Sequence, residues 1–214
     1  MSRLRVINLG LPKSGTTTLA RALRKAGLRV ADHRIKKVQT DNTALHGRFV
    51  GEMMYDGYFL RGDPLEGLDE FDGFAEVNAL RGDRSIWPQF DWGLIDAIRA
   101  KHPGAKFLAS WRPPEAISDS MLRWSNLGTE RIPNAVIPGL PAGYGVTTQE
   151  RVGWIAGHYA QLRRLFRGED DFLEYDVADP EAPARIGAFI GRDLPWWGKT
   201  NVNPVRVLSD EGVE

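Results

Sequence analysis

Apolar side chains fall along the chain in two kinds of segment, short unbroken runs and longer stretches at helical spacing. Leu4-Arg5-Val6-Ile7-Asn8-Leu9 is a short apolar-rich run ending at Gly10, which suits a buried strand. After a turn punctuated by Gly and Pro, Leu19, Ala22, Leu23 and Ala26 recur at helical spacing, and Gly27 stands where a C-cap is expected. Leu28-Arg29-Val30 then starts a second strand. This strand–loop–helix–strand order predicts the opening of a parallel α/β sheet, because parallel neighbours need a crossover between them.

The middle third has a weaker pattern. Residues 71–78 hold another strand end, with Phe74 and Val77 apolar, and Trp92, Ile95 and Ile98 mark a helix that stops near Pro103. Residues 106–111 read as a strand running into Arg112-Pro113-Pro114, and proline in a first turn suits a helix start. Ile117, Ser120, Met121 and Trp124 continue that helix on one face. Between Gly128 and Thr147, periodicity is lost among Pro133, Pro138, Gly139, Pro141, Gly143 and Gly145; a loop this long in a compact domain is functional or disordered. Val152, Ile155, Tyr159, Leu162 and Phe166 predict an amphipathic helix, residues 172–175 a strand and 184–190 a last helix, before an irregular tail with Trp196, Trp197 and Gly198. The expected architecture is α/β, a three-layer sandwich with a central, mostly parallel sheet flanked by helices, P-loop nucleotide-kinase-like. Its 214 residues suit one domain, 1–214.

Charge narrows the function. With 28 basic and 28 acidic side chains the chain is neutral, which argues against a nucleic-acid partner but leaves room for a local basic pocket. Without cysteine there are no disulfides and no thiolate metal sites. No apolar run approaches the roughly 20 residues of a transmembrane helix. Residues 1–9, interrupted by Arg3 and Arg5, make no secretory signal, so a cytoplasmic protein is expected.

The chemistry concentrates in Gly10-Leu11-Pro12-Lys13-Ser14-Gly15-Thr16-Thr17, between a predicted strand and a predicted helix. Unpaired N–H groups at a helix start attract anions, and glycine lets the backbone approach phosphate. Ser14, Thr16 and Thr17 add hydroxyl donors and Lys13 adds a charge. An ATP-binding P-loop would place lysine immediately after the second glycine, where this chain has Thr16. Residues 172–176 offer only a degenerate magnesium-binding strand for such a kinase.

Pro12-Lys13-Ser14-Gly15-Thr16-Thr17 resembles the 5′-phosphosulfate-binding loop of sulfotransferases that use 3′-phosphoadenosine 5′-phosphosulfate (PAPS), with identity at every position of the six. That family also grips the 3′-phosphate with a strand-end arginine and a serine eight residues on, and Arg112 and Ser120 stand at that spacing, with Ser118 nearby. Alone, Arg112 would read as a solvated arginine paired with Glu115; two motifs in family order change that reading. The resemblance implies PAPS as sulfuryl donor and PAP as product with no metal required. It assigns Lys13, Ser14, Gly15, Thr16, Thr17, Thr18, Arg112 and Ser120 to the donor, and Lys13 to stabilising the leaving phosphate. The acceptor would be a hydroxyl or amine of a carbohydrate, lipid or small molecule.

Two positions depart from the hormone-type branch of the family. Thr18 stands where those enzymes stack a tryptophan on adenine, and only Gly198-Lys199 faintly echoes their Arg-Lys-Gly segment. Relatives use histidine, glutamate or aspartate as the base. Of His33, His46, His102 and His158, none lies on a strand shortly before residues 106–111, whereas Glu76 does occupy such a place. Glu76 is the expected catalytic base and His33 the second candidate. The acceptor is expected along residues 128–147. A small-molecule kinase and a catalytically inactive PAP-binding module are the competing readings.

Overall fold

A computed structural model describes residues 3–200 of the chain. The elements follow in the order β1 (Val6–Asn8), α1 (Thr16–Lys25), β2 (Val30–Ala31), α2 (Val50–Arg61), β3 (Gly73–Phe74), β4 (Ala79–Arg81) and β5 (Arg84–Ile86). Then come α3 (Trp92–Lys101), β6 (Lys106–Trp111), α4 (Pro114–Leu122), α5 (Thr148–Leu165), β7 (Phe172–Asp176) and α6 (Ala182–Ile190). Five strands form one parallel sheet in the order β2-β3-β1-β6-β7. From β1 the chain runs to the edge strand β2, returns to β3 between them, then crosses to the other side of β1 at β6. The strand order therefore switches at β1, and open α/β sheets bind ligands beyond the strand ends at such a point.

Side chains alternate across the sheet into two cores. Ile7, Phe74, Phe107 and Ala109 pack with Met54, Ile95, Ile98, Ile155 and Tyr159 from α2, α3 and α5. Val6, Leu108 and Tyr175 pack with Leu19 and Leu23 of α1 and Ile186 and Ile190 of α6. With both faces covered, the strands must be apolar throughout, which is why they read as short continuous runs. The result is the three-layer α/β architecture that the pattern predicts.

Several local features differ from the pattern. The second strand begins at Val30, because Leu28 still belongs to the turn in which Gly27 takes φ 83°. Helix α2 and the β4–β5 hairpin had no clear signal: Gly51 and Gly57 interrupt α2, and Phe59 and Leu60 on it face solvent. Helix α4 stops at Leu122, so Trp124 lies beyond its end. The segment expected to be an irregular loop opens with a π-helical turn at Leu127–Arg131 and is pinned by buried Ile132, Ile137 and Leu140. Buried Arg151 donates to the carbonyls of Gly145 at 2.8 Å and Val146 at 2.7 Å, and to Ser118 Oγ at 3.0 Å, clamping the end of this segment to α4. Among the described residues no helix is long and apolar enough to cross a membrane.

The tightest approach in the sheet lies just after β1. A Cβ at Gly10 would stand 2.3 Å from Ser110 Oγ and 2.6 Å from the Ser110 carbonyl oxygen, the latter part of the β6 backbone. Gly10→Ala is expected to lower stability by about 1–3 kcal/mol, the range for overpacking. A urea midpoint equal to that of the unaltered protein would contradict the close approach.

Candidate active site

The loop after β1 is held by neutral hydrogen bonds from three sides. Fully buried Asn8 donates through Nδ2 to the Ala75 carbonyl at 2.8 Å and to Ser110 Oγ at 3.2 Å. Its Oδ1 accepts the N–H groups of Ser110 at 3.0 Å and Gly10 at 3.3 Å. One side-chain amide thus joins β1, the end of β3, β6 and the loop, with its full hydrogen-bonding capacity engaged. Ser14 Oγ donates to the Leu11 carbonyl at 2.6 Å and lies 2.6 Å from Ser110 Oγ, so the Ser14 hydroxyl is committed to closing the loop.

Helix α5 supports the loop from the opposite core. His158 Nε2 donates to the Leu9 carbonyl at 2.8 Å, and Tyr159 donates to the Ser110 carbonyl at 2.7 Å while accepting the Leu11 N–H at 3.3 Å. Burial pushes the His158 imidazole down to about 4, so it stays neutral at physiological pH, with the Leu9 carbonyl pulling weakly the other way. Sequence reasoning treated His158 as an ordinary helix residue and missed Asn8, Ser110 and Tyr159. The available signal was a polar residue inside each apolar run, which a core reading absorbs equally well.

The supported loop turns sharply into α1. Lys13 has φ 71° and Gly15, the N-cap, has φ 119°, and a Cβ on Gly15 would strike Val177 at 2.7 Å. Among the described residues no side chain caps α1, and its first turn carries no acidic residue, so no carboxylate of that turn offsets the positive end of the helix. Thr16 Oγ1 donates to Glu76 Oε2 at 2.8 Å. Thr17 is half-buried, and Thr18 Oγ1 donates to the Gly198 carbonyl at 3.1 Å, tying the tail segment down where an adenine platform was sought.

Two cations border the loop. Arg112, directly after β6, donates through Nη1 to the Lys13 carbonyl at 3.3 Å, and among the described residues neither it nor Lys13 forms an ion pair. Lys13 Nζ rests 3.5 Å from the centre of the Trp124 ring. Burial lowers the Lys13 ammonium to about 8; Glu76 opposes this shift and Arg112 reinforces it. Ser120 is buried on α4, as is its neighbour Ser118, whose hydroxyl accepts from Arg151.

Carboxylates and an imidazole line the other side. Glu76 follows β3 with its side chain only 21% exposed, and its Oε1 lies 3.6 Å from His33 Nδ1. Burial pushes the Glu76 carboxyl up, His33 pulls it down, Asp32 adds to the rise, and Thr16 and Lys13 oppose it. Asp32 is raised by burial too, against the pull of Arg24. His33 has φ 51°, and its Nδ1 lies 2.9 Å from the Asn78 carbonyl, an acceptor only, so that nitrogen carries the proton. The other histidines are engaged elsewhere, His46 with the Thr40 carbonyl and His102 with Asp63. The fold therefore gathers Lys13, Thr16, Glu76, His33 and Arg112 around one loop.

No protein-family model matches this chain, and no curated protein does. Among solved structures, a sulfotransferase from Alicyclobacillus acidocaldarius is similar over 94% of this chain and 86% of its own, at 19% identity and a TM-score of 0.49.

The buried imidazole has a consequence for stability. The folded protein lowers His158 from 6.5 to about 4, so the unfolded chain binds that proton first as pH falls. Stability attributable to His158 is intact above 6.5 and lost progressively down to about 4. His158→Gln can keep a donor for Leu9 without titrating, and its unfolding free energy is expected to fall less steeply than that of the unaltered protein over this window. Parallel slopes in urea titrations at several pH values would show that His158 is not buried and neutral.

Proposed function

We propose that this protein is a sulfotransferase that moves a sulfuryl group from PAPS to an acceptor hydroxyl or amine and releases PAP. The observation that carries this reading is the junction of two motifs 99 residues apart, where Arg112 donates to the carbonyl of Lys13. The loop that matches a phosphosulfate-binding sequence and the arginine that matches a 3′-phosphate motif thus meet beyond β1 and β6. A half-buried ammonium and a guanidinium with no carboxylate partner among the described residues, beside a helix start, fit a polyanionic nucleotide.

A magnesium-dependent kinase fits these residues less well. The place of the P-loop lysine is taken by Thr16, whose hydroxyl is bonded to Glu76. On the strand considered for magnesium, Asp176 accepts the Ala178 N–H at 2.8 Å in a turn.

PAPS supplies a sulfuryl group already attached to a good leaving phosphate. In this reading Lys13 and the amides around Gly15, Thr16, Thr17 and Thr18 meet the charge that develops on that phosphate. A bound anion would also raise the Lys13 ammonium from about 8, keeping it charged. Arg112 forks onto the 3′-phosphate, with Ser120 donating one further bond. Ser14 contributes by shaping the loop. Glu76 takes the acceptor proton: burial brings its carboxyl nearer neutral pH, where a general base is most effective, and His33 adjoins it.

Calorimetry tests the donor site. PAP is expected to bind clearly tighter than adenosine 5′-phosphate, since charge-assisted hydrogen bonds are worth about 1.5–3 kcal/mol each. Equal affinity would remove the role given to Arg112 and Ser120, and tighter binding of magnesium ATP would favour a kinase. PAP affinity should weaken as pH rises through about 8, where Lys13 loses its charge, and that step should be absent in Lys13→Ala.

Transfer from labelled PAPS to a panel of carbohydrates, phenols and lipid headgroups tests the chemistry. Lys13→Ala should lower turnover by roughly 10²–10³, whereas Arg112→Ala should act mainly on PAPS affinity. Glu76→Gln should retain PAP binding and lose roughly 10²–10⁴ in rate. Full turnover in Glu76→Gln would move the base elsewhere, and PAP binding without any transfer would point to an inactive binding module.

A further inference from the structure

Trp124 stands outside both cores. Helix α4 ends at Leu122 with Arg123 as its C-cap, and Ser125 turns the chain at φ 50°. The ring of Trp124 is left 42% exposed, so burial does not account for its placement. What it does contact is the ammonium of Lys13, 3.5 Å from the ring centre.

Among the described residues the ring face is the closest partner of that ammonium. Among the described residues it makes no hydrogen bond and no ion pair, and a carboxylate oxygen of Glu76 is already taken by Thr16. The Lys13 backbone is fixed in a left-handed conformation, with its carbonyl held by Arg112. Its four-carbon stem is the part left to move. A ring face attracts an ammonium through its quadrupole, whereas a phosphate oxygen offers a full charge and a hydrogen bond. The contact is therefore suited to being exchanged when an anion arrives.

We propose that Trp124 is a positioning residue for Lys13, holding its ammonium against the ring face and yielding it to the donor's phosphate on binding. This rests on the sulfotransferase reading above. It assigns a role to a residue outside both nucleotide motifs, and it means that part of the intrinsic affinity for the nucleotide is spent on releasing Lys13.

The test titrates PAP, by calorimetry and by tryptophan emission, into the unaltered protein, Trp124→Phe, Trp124→Leu, Lys13→Met and the Lys13→Met/Trp124→Leu double variant. Trp124→Leu is expected to bind PAP about 2–5-fold tighter, because releasing Lys13 no longer breaks a cation–π contact. In the Lys13→Met background, Trp124→Leu should leave PAP affinity unchanged within about twofold, since the two side chains act as a coupled pair. Trp124→Phe keeps a ring face and should fall between the unaltered protein and Trp124→Leu. Seven tryptophans emit, so the Trp124 signal is taken as the PAP-induced change with Trp124 minus that with Trp124→Leu, in the unaltered and in the Lys13→Met background. This difference should be clear with Lys13 present and absent with Lys13→Met. Weaker PAP binding by Trp124→Leu, an equal effect of that substitution with and without Lys13, or a zero emission difference would each overturn the proposal. Failure of the unaltered protein to bind PAP would instead overturn the sulfotransferase reading itself.

Discussion

The buried side-chain amide of Asn8 is the constraint on which the rest of the site depends. A polar group at the centre of a sheet is tolerated only when its hydrogen bonds are met. Here the partners are Ala75, Ser110 and Gly10, on three separate stretches of chain. Meeting them fixes the spacing of β3, β1 and β6 at their C-terminal ends and aims the chain from Gly10 into the loop. Tyr159 and His158 complete the support from α5. All of these groups are neutral, and Arg112 adds one charged donor, to the Lys13 carbonyl at the far end of the loop.

Among the described residues Lys13 and Arg112 are then left without carboxylate partners, although the chain as a whole is neutral. Charge is then separated by position. The cations border the loop and its helix start, while Glu76 and Asp32 lie together beyond Thr16, both pushed upward by burial. An anionic donor and a proton acceptor need this arrangement, because each side stabilises charge of the opposite sign.

Helix α5 joins this site to the segment before it. Near its start Arg151 holds the carbonyls of Gly145 and Val146 and the hydroxyl of Ser118, and two turns later His158 and Tyr159 hold the loop after β1. A single rigid helix therefore sets the position of the loop and of the segment expected to meet the acceptor. The clamp on α4 also lies near Ser120 and Trp124, so the same helix bears indirectly on the residues flanking Arg112.

The local pattern determined much on its own. Short apolar-rich runs at β1, β6 and β7, helical spacing after Thr16 and after Thr148, and glycine at the αL positions 15 and 27 all report short-range preferences of the chain, and they specify a parallel α/β fold. Lys13 and Arg112 were singled out by the resemblance of two motifs, not by local pattern, since Arg112 alone reads as a solvated arginine. Tertiary structure alone decided what surrounds them. Glu76 and His33 come together because β2 and β3 are paired, and Glu76 reaches Thr16 because β3 lies beside β1. Trp124 meets Lys13 because α4 ends two residues earlier than its apolar stripe suggests. Asn8, His158 and Tyr159 look like core residues at short range, and only long-range packing turns their polar atoms toward the loop.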